Sequence, residues 1–321
     1  MSQAVYLLSL IAALLSGVLA GTRLRSIPQK LVDRVTGFTL YLLILNMGFR
    51  IGRTEEVSRS FGTVGVTALL YALATVTGTV AVLRLVYALS ARKLRGAQTE
   101  HHPRRSSQYL LAEVLKGLKA GYIRQPLRLL ALLFVGFFLG LLLPLFPDYR
   151  GEQVTTGILF LLLFLIGISL SRSRLNLKAI LRQADLWLLP VGTIAGSYLG
   201  ALVLSLLLAQ RLGEALALAS GFGWYSLSGV LLSELNGPYL GAVAFLTNMF
   251  REALALVLIP LLAQTRFPYI GIGVAGATSM DVTLPIIEIS CGPESVPFSL
   301  SSGVILSVLV PILLPLVYPL G

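Results

Sequence analysis

The chain has 321 residues, 56% of them hydrophobic and only 12% charged, with a mean hydropathy of +0.85. A soluble domain is about 25% charged, so the soluble classes are excluded and a polytopic integral membrane protein is expected. The formal net charge of +11 does not point to nucleic acid, because the basic residues sit in short loops between apolar runs, where the cytoplasmic side of a membrane collects them.

A bilayer span needs about 20 mostly apolar residues, so this length allows roughly eight to ten spans and no large soluble domain. The expected fold class is therefore all-α. The first span is predicted over 4–21 and the second over 35–51, separated by a loop bearing Arg23, Arg25, Lys30 and Arg34 against Asp33. After Arg53, Glu55, Glu56 and Arg59 comes a long third span, 61–89, with room to tilt or kink. These residues, 1–90, read as an N-terminal three-span unit. Residues 91–126 read as a basic cytoplasmic loop, in which 109–118 could lie on the membrane surface as an amphipathic helix. Residues 127–321 read as a C-terminal transport core.

Spans follow over 127–145, 154–170 and 187–209. The last carries Gly192, Gly196 and Gly200 at every fourth position, a smooth face that another helix can approach closely. The first, third and fifth loops are basic and the others nearly neutral, which predicts an outside amino terminus and an inside 91–126 loop. Met1-Ser2-Gln3-Ala4 lacks the basic start of a secretory signal. A shift of 119 residues carries Gly17, Gly21, Gly48 and Arg53 onto Gly136, Gly140, Gly167 and Arg172. If more than chance, this is a three-span unit copied in inverted orientation, as secondary transporters use.

Farther along, 215–235 is apolar but interrupted by Gly221, Gly223 and Gly229. A clean run follows over 239–263, then a small-residue run over 269–287 containing Pro285, and a last run over 297–318. Broken or re-entrant helices are expected here, giving ten crossings, or eight and two partial ones.

Ionisable groups at membrane depth are costly and mark candidate sites. Glu252 stands half-way along an apolar run and shares a helix face with Asn248. An acid there can exchange a proton for a cation; the competing reading is an ion pair with Arg251 or another helix. Asp281 lies in Gly276-Ala277-Thr278-Ser279-Met280-Asp281-Val282-Thr283-Leu284-Pro285. Proline cannot continue the hydrogen-bond ladder of a helix, so Asp281 is expected beside unwound backbone in a cavity, with Thr278 and Ser279 as further ligands. The glycine-rich word at 221–229 adds Tyr225, Ser226 and Ser228, whose hydroxyls can serve an ammonium, a sodium ion or a carboxylate. Glu234 and Glu288, near span ends, are weaker candidates. No metal site or cofactor is expected: the only histidines, His101 and His102, are adjacent in a polar loop, and Cys291 is the single cysteine.

The words at 221–229, 236–238 and 276–285, with Arg251-Glu252, resemble the LysO-type lysine exporter family. The resemblance implies export of L-lysine and its analogue thialysine across the bacterial cytoplasmic membrane, with both termini outside. It also implies an essential pair of intramembrane acids, which by motif are Glu252 and Asp281. The expected partners are a cationic amino acid, protons or sodium, and the lipid bilayer; a cation/proton antiporter without an organic substrate is the alternative. The residues leave the oligomeric state open and favour a transporter over an enzyme, since they offer no membrane histidine or nucleophile motif.

Overall fold

A computed structural model describes residues 3–23, 27–53, 61–90, 124–142, 151–172 and 184–320. The expected surface helix over 109–118 lies outside them. Among the described residues the protein is all-helical, with no strand. The helices are α1 (Gln3–Arg23), α2 (Gln29–Gly52), α3 (Phe61–Ser90), α4 (Arg124–Leu142), α5 (Gly151–Arg172) and α6 (Ala184–Leu208). Then come α7 (Leu212–Ala219), α8 (Tyr225–Asn236), α9 (Pro238–Ala263), α10 (Ile270–Ala275), α11 (Leu284–Cys291) and α12 (Val296–Val317). Five stretches are long and apolar enough to cross a bilayer: Gln29–Gly52, Gly62–Leu89, Leu186–Leu208, Pro238–Ala263 and Pro293–Val317. Large apolar side chains such as Leu89, Leu206 and Leu207 stand exposed along them, as suits helices solvated by lipid rather than water. The protein is a multi-pass membrane protein.

The chain folds into two compact units, each assembled from three stretches: 1–65, 126–176 and 226–245 in the first, and 66–125, 177–225 and 246–321 in the second. In the first unit, helices meet through glycine. A Cβ at Gly17 would strike the Phe164 backbone, and one at Gly167 would strike that of Leu14, so α1 and α5 touch backbone to backbone. Gly48 and Gly136 do the same for α2 and α4, against Leu133 and Leu45. The contact between Gly17 and α5 thus maps onto that between Gly136 and α2 under the 119-residue shift. Such reciprocity is what a helical unit packed against its own copy produces. Without a hydrophobic drive between helices in lipid, close packing of small residues supplies the attraction. A buried ion pair, Arg50 with Glu234, completes this unit, with Thr156 donating to Glu234 at 2.6 Å and Asn46 to Thr155 at 2.7 Å. Glu234 is therefore held by a cation and a hydroxyl.

In the second unit, the glycine face of α6 receives α3. Gly196 lies against Gly78 and Thr79, and Gly200 against Ala74. The approach brings the hydroxyls of Thr79 and Ser197, 118 residues apart in sequence, to 3.1 Å from one another. Apolar side chains of α3, α9, α10 and α11, among them Leu83, Tyr87, Ala255, Ile259, Ile272 and Ile287, form a shared core.

Two helical runs of this unit are broken. The chain leaves α7 through Phe222 (φ 45°) and Gly223 (φ 95°), and leaves α10 through Gly276 (φ 66°) into a short 3-10 turn, Gly276–Met280. Left-handed backbone is easy for glycine and costly for phenylalanine. The two breaks touch: the Ala277 N–H donates to the Phe222 carbonyl at 2.8 Å. Asn248 of α9 braces the first break, accepting from the Gly223 N–H at 2.8 Å and donating to the Leu218 carbonyl at 3.3 Å. Ser279 and Ser299 brace the second, each hydroxyl donating to the other's carbonyl at 2.9 and 2.6 Å. Pro285 is not the end of this run but falls in the first turn of α11, where its missing N–H has no intrahelical partner to lose.

Two outcomes follow from these contacts. Gly136→Leu should destabilise the first unit by about 1–3 kcal/mol or more, since backbone cannot yield as a side chain does, and this is read as a lower unfolding midpoint in detergent. Asn248→Ala leaves the Gly223 amide unpaired and should cost about 1–3 kcal/mol; an unchanged midpoint would show the brace to be dispensable.

Candidate functional site

Glu252 and Arg251 sit next to one another in α9, each only 1% exposed. Successive helical residues point about 100° apart, and the two side chains go separate ways. The Arg251 guanidinium donates to Ser197 Oγ at 2.8 Å, to the Gly273 and Val274 carbonyls at 3.1 and 3.2 Å, and to Thr79 Oγ1 at 3.4 Å. Two of these acceptors are carbonyls from the last turn of α10, which helix geometry leaves without intrahelical donors. The other two are the hydroxyls that the α3–α6 glycine contact brings together. Among the described residues no carboxylate pairs with Arg251.

Glu252 is the opposite case. Both of its carboxyl oxygens are buried and neither has a hydrogen-bond partner among the described residues. Several buried hydroxyls, those of Thr193, Thr247 and Ser302 included, share that condition, but a carboxyl in this state is far costlier. The ion pair with Arg251 that would have explained Glu252 is absent. Asp281 belongs to the same compact unit as Glu252. It stands just past the 3-10 turn, exposed, with one oxygen accepting from the Val282 N–H at 2.6 Å. The second unit therefore holds one dry, unpartnered acid and one exposed acid.

The polar residues singled out around these acids divide by role. Asn248, Thr278 and Ser279 are buried, and their side chains are engaged with backbone: Thr278 donates to the Ala275 carbonyl at 3.0 Å, and the Ser279 hydroxyl shares its one proton between the Gly276 and Ser299 carbonyls at 2.7 and 2.9 Å. They hold the breaks in place. Tyr225, at the start of α8, is buried in the same unit as Glu252, whereas Ser226 and Ser228 are buried in the first unit. Glu288 is exposed on α11. The sequence reading missed Thr79 and Ser197; the one signal for them was their place beside Gly78 and Gly196.

A model of the family described as "Lysine exporter LysO" matches residues 11–98 and 130–318. The chain is 33% identical over 308 residues to the "Lysine exporter LysO" of Escherichia coli (strain K12), covering 96% of this chain and 97% of that protein. It is also 38% identical over 157 residues to a "Putative lysine exporter" of Haemophilus influenzae, covering 49% of this chain and 80% of the relative. No solved structure matches the chain significantly. Match and identity both run through the six N-terminal helices and the two broken ones, and the chain belongs to the lysine exporter LysO family.

Proposed function

We propose that this protein exports L-lysine, and close analogues such as thialysine, across the cytoplasmic membrane in exchange for protons, at a site built on Glu252 and Asp281. The observation that carries the reading is the Glu252 carboxyl, buried with neither oxygen partnered. A group kept at that cost has unused capacity for a ligand, and a second acid in the same unit, Asp281, makes the ligand a cation. Family membership supplies the identity of that cation, since both relatives are named for lysine.

In this reading an ammonium group of lysine takes the place of a proton on the acid pair. Carbonyl lone pairs left over at the two breaks, 220–224 and 276–283, serve the ammonium groups of the amino acid, with Tyr225 as a further hydroxyl. Asn248, Thr278 and Ser279 keep those peptide groups in position. The excess of basic residues in alternate loops supports a bacterial inner-membrane protein with both termini outside. The chain acts as a transporter rather than an enzyme and needs no cofactor.

Glu252→Gln and Asp281→Asn should insert and fold normally yet lose most lysine export, measured as efflux of labelled lysine from proteoliposomes. Full export by both variants would move the site elsewhere. In the same vesicles, wild-type efflux should accelerate when the receiving side is acidified, because inward proton movement drives it. Efflux indifferent to the gradient removes the proton coupling. Sodium-dependent proton flux without lysine would replace the substrate by a bare cation.

A further inference from the structure

In the second unit α3 serves as a ruler of depth, since it is long and apolar enough to cross a bilayer. Near its carboxyl end the Tyr87 ring stacks on that of Phe267, with centroids 5.7 Å apart. Thr79 lies about 12 Å back along the helix, at about 1.5 Å per residue. There the Arg251 guanidinium bonds Thr79, Ser197 and the Gly273 and Val274 carbonyls. Toward the other end of α3, Tyr71 donates to Gln210. The chain from 267 to 298 therefore goes in and comes back. It leaves the Tyr87 end at Phe267, reaches the depth of Thr79 at Gly273 and Val274, and turns through 276–283. It returns in α11, whose last residue, Cys291, donates to the Pro268 carbonyl at 3.6 Å. Phe298, in the first turn of α12, then packs on Tyr269 at 5.2 Å between ring centroids. Helices as short as α10 and α11 cover about 9 and 12 Å, half a bilayer and no more. From the other end α7 comes to meet the turn: a Cβ at Gly213 would strike the Tyr318 carbonyl just past α12, while Ser220 bonds Tyr198, next to Ser197. Residues 270–291 thus form a re-entrant hairpin whose turn lies at mid-depth.

We propose, on the reading of Glu252 and Asp281 as the exchange site, that Arg251 is a positioning residue that stops this hairpin at mid-depth, and that lysine reaches Asp281 from the hairpin's own face. That face is the one at which α3 runs on into the basic residues 91–126, the cytoplasmic side by the charge rule. Nothing in the entering limb, Ile270-Gly271-Ile272-Gly273-Val274-Ala275, sets how far it goes in: it is apolar throughout, and its last carbonyls have no intrahelical donors. The guanidinium supplies donors for two of them and is itself fastened to the α3–α6 crossing. A fork of fixed donors can hold groups from three helices at once, which the single ammonium of a lysine side chain cannot. The same fork sets the hairpin's depth against α9, where Glu252, the next residue, is one rise of about 1.5 Å farther along the axis. Arg251 touches no passenger in this scheme; it acts through the backbone of α10 and the turn that carries Asp281.

The test uses the full-length protein in right-side-out and inverted membrane vesicles. Cys291→Ser removes the single cysteine, and Val282→Cys places a thiol beside Asp281. A membrane-impermeant thiol reagent should label Val282→Cys from the cytoplasmic face and not from the other. Labelling confined to the opposite face, or absent from both, overturns the access route. Arg251→Gln should change the labelling rate severalfold. With Val282 in place, it should also raise the lysine concentration for half-maximal uptake into inverted vesicles about tenfold or more, as the loss of charge-assisted hydrogen bonds implies, with a smaller change in maximal rate. Arg251→Lys keeps the charge without the fork and should recover little of either. Full recovery by lysine, or both readouts unmoved in folded Arg251→Gln, overturns the positioning role. Thr79→Val with Ser197→Ala leaves the guanidinium but removes its hold on α3 and α6; it should shift both readouts the same way, and it decides the matter where Arg251→Gln does not fold. Labelling as expected in a protein that moves no lysine removes the exchange reading and leaves the hairpin and its stop standing.

Discussion

Unwound backbone at membrane depth has no water to fall back on, so its peptide groups must be satisfied by the protein. The second unit is arranged around that requirement. The two breaks satisfy one another through Ala277 and Phe222. Asn248 and the Ser279–Ser299 pair satisfy neighbouring groups. Arg251 takes the carbonyls at the end of α10. Once these bonds are made, the position of the 3-10 turn is settled, and with it the place of Asp281 relative to α9.

Against this background Glu252 is conspicuous. Side chains one turn before it, at Asn248, and one residue before it, at Arg251, are each bonded to backbone. The Glu252 carboxyl has no such bond. A fold that supplies donors for so many carbonyls could supply one for a carboxylate, and a neutral leucine would fit an apolar run with less cost. Its retention there makes sense for a group whose partner comes and goes.

Much of this was legible in the chain. Apolar runs located the helices to within a few residues, since lipid leaves little choice of structure to a 20-residue apolar segment. Gly192, Gly196 and Gly200 announced a close crossing, and Glu252 and Asp281 stood out because acids are rare in such runs. Three things were not legible. The partner of the α6 glycine face is α3, and in 61–90 only the single Gly78 at the crossing hints at it. Pro285 reads equally as the end of one helix or the first turn of the next; the bonds on either side decide. Helix geometry already turns Arg251 away from Glu252, but only the three-dimensional arrangement of Thr79, Ser197 and the end of α10 shows where the guanidinium goes.

The glycines and the charge are parts of one device. A guanidinium buried away from carboxylates needs several oxygens arranged to match its fork. Two hydroxyls on different helices can stand 3.1 Å apart only if those helices nearly touch, and Gly78, Gly196 and Gly200 are what allow α3 and α6 to do so. Any side chain there would part Thr79 from Ser197, take two acceptors from Arg251 and loosen its hold on α10. Packing that looks like scaffold thereby sets where a positive charge sits in the membrane.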